Sequence, residues 1–295
     1  MHEAWPGVTC YIVGLGSDYR GQPLETQLSA RGFSWEHVWG FDGRRMSPEA
    51  LSEYVDQSAA VVLEHRPLTA GEVGCALSHR EALRRIVDRG DKWSLVFEDD
   101  VRISPLLTIS ALSTLLSVTP AKQPTIILFS CREDYTVGNR RSLIRLPLEG
   151  QKVSLLRARV PPVGAQAYLI NSAAAAIALS RSVGPITSVA DWPSEWSYRV
   201  QFLFVYPWLA RPRLDTASTL QVARAEFEEA PWESPARAAR RHALALSGIW
   251  LVRHRHTYRG VRHFLRHEVM RPCTYALAKR FGQRISQEAD APWIL

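Results

Sequence analysis

Three adjacent acids, Glu98-Asp99-Asp100, follow directly on the apolar run Ser94–Phe97. Carboxylates set side by side repel one another, and an apolar strand gives no local reason to place them there. In extended backbone successive side chains alternate, so Glu98 and Asp100 point to one side and Asp99 to the other. Two carboxylates on one side make a hard-oxygen site suited to Mg²⁺ or Mn²⁺. Ligands of open α/β sheets bind at the carboxyl ends of strands. A divalent ion held at this strand end could bridge a diphosphate and neutralise it as it leaves. The plain alternative is a solvated acidic turn.

The elements that must position these acids are legible as alternating apolar runs and helical periods. Cys10–Leu15 reads as a buried strand entering a loop at Gly16-Ser17, and Pro23–Arg31 has helical spacing closed by Gly32. Phe33–Phe41 reads as a strand ending at the Asp42-Gly43 turn. Thr69–Arg89 is the clearest helix: Thr69 and Glu72 form a capping-box pattern, Val73, Leu77, Leu83, Ile86 and Val87 line one face, and Gly90 closes it. Thr125–Phe129 and Gln166–Ile170 read as further strands, the second followed by the helix Ala173–Leu179. This alternation predicts an α/β sandwich with a mainly parallel sheet flanked by helices. Strand signals end near Glu226–Pro235, which divides the chain into an α/β domain at 1–228 and a basic helical C-terminal extension at 229–295.

Charge separates the two parts. The net charge is +7, but Trp232–Arg284 holds twelve Lys and Arg against Glu233 and Glu268, a balance of +10 that leaves the remainder at −3. Such a stretch attracts phosphates, anionic lipid or nucleic acid. His254, His256, His263 and His267 sit among Arg253, Arg255, Arg262 and Arg266, which would repel a cation, so no metal is expected there. The basic helices suit an anionic membrane surface or a phosphorylated acceptor. No window reaches the ~18 apolar residues of a membrane-spanning helix, and no basic segment leading into an apolar run marks a secretory signal. Cys10, Cys75, Cys131 and Cys273 lie far apart without paired spacing, which predicts reduced thiols in a cytoplasmic protein and no zinc site.

Leu68–Ile86 (LTAGEVGCALSHREALRRI), followed closely by Leu95–Val101 (LVFEDDV), resembles glycosyltransferase family 25, which includes bacterial lipooligosaccharide galactosyltransferases and relatives of collagen galactosyltransferases. Ser17-Asp18-Tyr19-Arg20, Gly40–Gly43 (GFDG), Gly164–Ile170 (GAQAYLI) and Asp191 within ADWPSEW resemble further blocks of that family, so the likeness covers about residues 8–220. The first strand departs from it, reading Val13-Gly14-Leu15-Gly16 in place of an Asn-Leu-Asp type of element.

The resemblance implies a GT-A-like (Rossmann-like) fold and an inverting, divalent-metal-dependent hexosyltransferase. Its donor would be a nucleotide sugar, UDP-galactose being the expectation, and its acceptor a lipopolysaccharide, lipooligosaccharide or other surface glycan. It places Mn²⁺ or Mg²⁺ on Glu98 and Asp100, and brings Asp99, Arg20, Asp42, Ser78 and His79 towards the donor. Inversion by direct displacement needs a base on the acceptor hydroxyl. Asp191, ahead of Trp192-Pro193 at a helix start that would hold its carboxylate ionised, is the first candidate, and Glu195 the second. Trp192 and Trp196 could wall a sugar ring. Local roles stand beside several of these: Asp191 as an N-cap, His79 bonded to a carbonyl in the core, Arg20 at the surface, Asp42 capping its turn. The expected setting is cytoplasmic, at the inner face of the membrane, with no nucleic acid bound. Two rival readings are a non-catalytic nucleotide-sugar binder and a protein whose basic tail binds phosphates or nucleic acid.

Overall fold

The computed structural model describes residues 8–64, 66–120, 122–130, 141–158, 164–190, 192 and 199–213. The basic extension and its boundary with the α/β domain therefore lie outside the described residues, as do Asp191 and Glu195.

The chain opens with β1 (Val8–Gly14), α1 (Gln22–Ala30) and β2 (Trp35–Trp39). A 3-10 turn at Gly43–Arg45 follows, then α2 (Pro48–Tyr54), α3 (Gln57–Glu64) and the long α4 (Ala70–Arg89). Next come β3 (Trp93–Glu98), β4 (Val101–Ile103), α5 (Ile109–Ser117) and β5 (Thr125–Leu128). The second half adds β6 (Arg141–Leu148), β7 (Gln151–Arg157), β8 (Ala167–Asn171), α6 (Ser172–Arg181), β9 (Gln201–Tyr206) and β10 (Ala210–Pro212).

Eight strands form one sheet in the order β2-β1-β3-β8-β5-β9-β7-β6. Six of them run in one direction, with β7 and β8 reversed. The inner strands β1, β3, β8 and β5 are apolar on both faces because helices cover both, as expected of a sheet wound through crossovers. Alternate residues of one strand enter different cores: Cys10 and Ile12 pack with Leu24, Leu28, Leu112 and Leu115 on the α1/α5 side. Tyr11 and Val13 pack with Leu83, Ile86, Ala174 and Ala178 on the α4/α6 side. A smaller cluster of Val55, Ala60, Leu68, Val73, Leu77 and Ile186 anchors α2 and α3 to α4. The mainly parallel α/β layering read from the sequence is the architecture observed.

α4 forms where its sequence directs. Thr69 accepts from the Glu72 amide at 3.2 Å while Glu72 accepts from the Thr69 amide at 3.0 Å, closing the capping box. Gly90 ends the helix at φ 72°, the left-handed conformation that glycine adopts without penalty. The helix is then fixed against the turn after β2 by close backbone approach. A Cβ on Gly74 would stand 2.3 Å from the Phe41 carbonyl oxygen, and one on Gly43 1.9 Å from that of Ala70. These two glycines let the Gly40–Gly43 turn lie directly on α4, which brings the middle of that helix to the carboxyl edge of the sheet.

Candidate active site

β1 and β3 are parallel neighbours, so the loops leaving them open on the same edge. β3 ends at Glu98, and the turn Asp99-Asp100 is pinned from both sides. The Asp99 amide donates to the Val13 carbonyl at 3.0 Å, and the Arg213 amide, just past β10, donates to the Asp100 carbonyl at 2.7 Å. The strict alternation expected from an extended chain therefore stops at Glu98, the last strand residue.

Arg20, in the loop after β1, reaches these acids, and its carbonyl oxygen accepts from Arg213 Nη1 at 3.3 Å. Its backbone amide donates to Asp99 Oδ2 at 3.1 Å, and its Nη2 reaches both Asp99 Oδ1 at 3.3 Å and Asp100 Oδ2 at 3.1 Å. Burial pushes the Asp99 carboxyl above its ordinary range against the pull of Arg20. Burial, then the neighbouring Glu98, raise Asp100 to about 6; Arg20 opposes the rise and Asp99 adds to it. Burial thus keeps the Asp99 and Asp100 carboxyls raised even with Arg20 between them. Gly14 makes the crowding sterically feasible, since a Cβ there would stand 2.8 Å from Asp99 Oδ2. The unusual first strand is in this way matched to the acids it faces, a pairing that sequence reading missed and that no spacing rule would reveal.

His79 is buried on α4 and faces the same edge. Its Nδ1 lies 3.2 Å from the Tyr168 hydroxyl and its Nε2 3.4 Å from Glu98 Oε1. The structure thus brings Arg20, His79, Glu98, Asp99 and Asp100 together, although Arg20 and Asp99 are 79 positions apart.

Ser78 and Asp42 are held locally. The Ser78 hydroxyl donates to the Gly74 carbonyl at 2.6 Å and accepts from the Phe41 amide at 2.9 Å, tying α4 to the turn after β2. Asp42 caps the 3-10 turn by accepting from the Arg44 amide at 3.2 Å and pairs with the Arg44 guanidinium at 2.8 Å. Its carboxyl is held below its ordinary range chiefly by that guanidinium. Trp192 requires a correction. It is buried, its ring edge-on to Tyr168 at 4.8 Å and its Nε1 donating to the Gly164 carbonyl at 3.0 Å, so it is a core side chain and not a wall for a sugar. Exposed aromatics stand instead at the end of β2: Trp39 is 49% and Phe41 42% exposed, and Tyr19 meets Trp39 edge-on at 5.3 Å.

Residues 8–182 match the family model described as glycosyltransferase family 25 (LPS biosynthesis protein). The chain belongs to glycosyltransferase family 25. The match contains Arg20, His79 and the Glu98–Asp100 turn, and ends before Asp191. Among relatives within the family, a glycosyltransferase 25 family member of Drosophila melanogaster is 31% identical over 118 residues, 37% of this chain and 18% of that one. Procollagen galactosyltransferase 1 of Danio rerio is 62% identical over 89 residues, 29% of this chain and 15% of its own length. The chain therefore spans less than a fifth of the length of these relatives. A solved glycosyltransferase involved in the glycosylation of the major capsid of PBCV-1 superposes with a TM-score of 0.29 and 11% identity over 58% of this chain and 63% of that one, too loosely to bear on the site. No helix among the described residues is long and apolar enough to cross a membrane.

Proposed function

We propose that this chain transfers a glycosyl unit from a nucleoside-diphosphate sugar to a glycan hydroxyl, with inversion, at the edge formed by the loops after β1 and β3. The observation that carries the reading is the meeting of Glu98, Asp99 and Asp100 with Arg20 at one sheet edge, where Arg20 Nη2 reaches Asp99 at 3.3 Å and Asp100 at 3.1 Å. Carboxylate oxygens at a strand end are hard donors suited to Mn²⁺ or Mg²⁺, and Glu98 and Asp100 would hold the ion. When bound, the ion supplies Lewis-acid stabilisation to the departing diphosphate.

The chain's own groups do the remaining work. Arg20 is positioned to leave the acids and donate to phosphate oxygens, since its planar guanidinium binds either partner. Asp99, held by the Arg20 amide, stays on the donor side of the turn. Tyr168 and His79 keep the Glu98 carboxylate in place through the contacts at 3.2 Å and 3.4 Å. Trp39 and Phe41 offer exposed faces on which a base or sugar ring can stack. Asp191 is assigned as the base that takes the acceptor proton, with Glu195 second. Galactose from UDP-galactose is the leading donor, supported by the name of the Danio rerio relative. A lipopolysaccharide-type acceptor, supported by the family description, is the leading acceptor. The basic segment Trp232–Arg284 would attract such an acceptor's phosphates at an anionic membrane surface.

The test is donor hydrolysis across UDP-, GDP- and CMP-sugars, with Mn²⁺ or EDTA, for the full chain and for Asp100→Asn. Metal-dependent turnover of one donor, lost in the variant, is the expected result. Calorimetric binding of a donor with no turnover, even when lipid-linked glycan acceptors are supplied, would sink the catalytic reading in favour of a non-catalytic binder.

A further inference from the structure

Spacing among the four cysteines gives no zinc motif, but that test overlooks mixed donor sets. Cys75 and His79 are four positions apart on α4, so both project from one face of the helix. β3 delivers Glu98 to that same face. A Cys75 sulfur, a His79 ring nitrogen and a Glu98 carboxylate oxygen lie within 4.8 Å of one another, with His79 buried and the other two half-buried.

We propose that Cys75, His79 and Glu98 form a site for a thiophilic divalent cation, Zn²⁺ in the first instance. The donor set decides the ion: sulfur and imidazole select zinc-like metals, whereas Mg²⁺ and Mn²⁺ prefer oxygen alone. Bonds of ~2.0–2.3 Å place neighbouring donors of a tetrahedral ion about 3.5 Å apart. The His79–Glu98 pair already stands at 3.4 Å, so the sulfur makes the remaining closure. Three protein donors leave a fourth position open to water or another ligand. Tyr168 completes the arrangement from behind. Its buried hydroxyl, 3.2 Å from His79 Nδ1, can accept the Nδ1–H and so turn the Nε2 lone pair towards Glu98. On binding, the Cys75 thiol gives its proton to solvent and the sulfur bonds the ion.

A metal-free alternative uses the same contacts, with the Tyr168 hydroxyl donating to Nδ1 and Nε2–H donating to Glu98. That relay needs no bond from sulfur to a metal, so a sulfur-to-metal signature that Cys75→Ser removes tells the two apart. Where the proposed transferase activity holds, the two sites compete for Glu98, so the thiophilic ion inhibits turnover.

The probe is Co²⁺, titrated into the metal-free full-length protein and followed by absorption. The expected signature is a sulfur-to-cobalt charge-transfer band with strong visible bands of a four-coordinate ion, bleached by Zn²⁺. Cys75→Ser and, independently, Glu98→Gln abolish it, with circular dichroism confirming that each variant is folded. Tyr168→Phe weakens Co²⁺ binding by about 10–100-fold. Asp100→Asn leaves the band in place, which separates this site from the hard-oxygen one. Absence of a charge-transfer band, or one that survives Cys75→Ser, overturns the proposal. Failure of donor turnover alone leaves it standing, because the band does not depend on catalysis.

Discussion

Glu72, in the first turn of α4, and Asp100, past the end of β3, are both carboxylates drawn out of water, with side chains 1% and 17% exposed. Glu72 is saturated: Arg66 grips both its oxygens at 2.7 and 2.6 Å, and the Thr69 amide adds a third bond at 3.0 Å. Asp100 accepts from one Arg20 nitrogen that also reaches Asp99, and from its own backbone amide, beside Glu98. Burial of a charge is tolerated when it is paired and hydrogen-bonded. The contrast teaches that the fold can satisfy a buried acid completely where the acid is structural. At the strand end, by contrast, two carboxylates share one guanidinium nitrogen.

The comparison breaks first at Asp100. Asp100→Asn is expected to reduce donor turnover by on the order of 10²–10³-fold, as loss of an electrostatic catalytic group does. Its melting temperature should not fall, because the change removes a like charge from the cluster. A variant that keeps full turnover, or that simply unfolds, would make Asp100 another structural acid. The converse experiment is Glu72→Ala. Breaking a buried pair costs ~3–5 kcal/mol, and because the Arg66 side chain is 25% exposed and can rehydrate, about 3 kcal/mol is expected in urea unfolding. Turnover per folded molecule should be kept.

How much of this was legible in the sequence follows the same division. α4 was readable to within a residue because its capping box, apolar stripe and Gly90 are local signals. β1, β3, β5 and β8 were readable as apolar runs, being buried on both faces. The β6–β7 hairpin was not. Its two-residue turn, Glu149-Gly150, has positive φ at both positions (46° and 76°) without the Asn-Gly or Asp-Gly that usually announces such a turn. The acids of the site were legible as a motif, but their partners were not. Arg20 reaches them only because β1 and β3 pair, and Glu98 joins Cys75 and His79 only through the packing of α4 on the sheet. Alternation along a strand also failed one residue early, since the chain turns at Asp99.

Gly14→Ala probes the crowding directly. Its methyl would press on Asp99 within 2.9 Å of both Oδ2 and Cβ, displacing the turn, and overpacking of this kind costs ~1–3 kcal/mol. Misplacement of Asp99 and its turn should lower turnover by about tenfold or more. Equal activity in this variant would show that the position of Asp99 does not matter. Ser78→Ala is milder and separates the joint from the site. It leaves the Phe41 amide without its hydroxyl acceptor, which costs about 1–2 kcal/mol. Nearly unchanged KM for the donor is expected; a large rise in KM with normal stability would return Ser78 to the donor site.

Glu81 supplies the missing case, a saturated acid whose partners are exposed. Arg84 and Arg85 both pair with it, at 2.8 and 2.9 Å, and their side chains are 53% and 34% exposed. The Arg84 hydrogen bond, ahead of Arg85, holds its carboxyl down from the ordinary 4.5 to about 2. A depressed carboxylate stabilises the fold above its unfolded pKa, and that contribution disappears as pH falls from about 4.5 towards 2. Solvent screens such pairs heavily, so Glu81→Gln should shift the thermal midpoint at neutral pH by no more than a few degrees, and by nothing measurable at the acid end of that window. A loss as large as that of Glu72→Ala would mean that saturation by exposed partners is enough to make a carboxylate structural here.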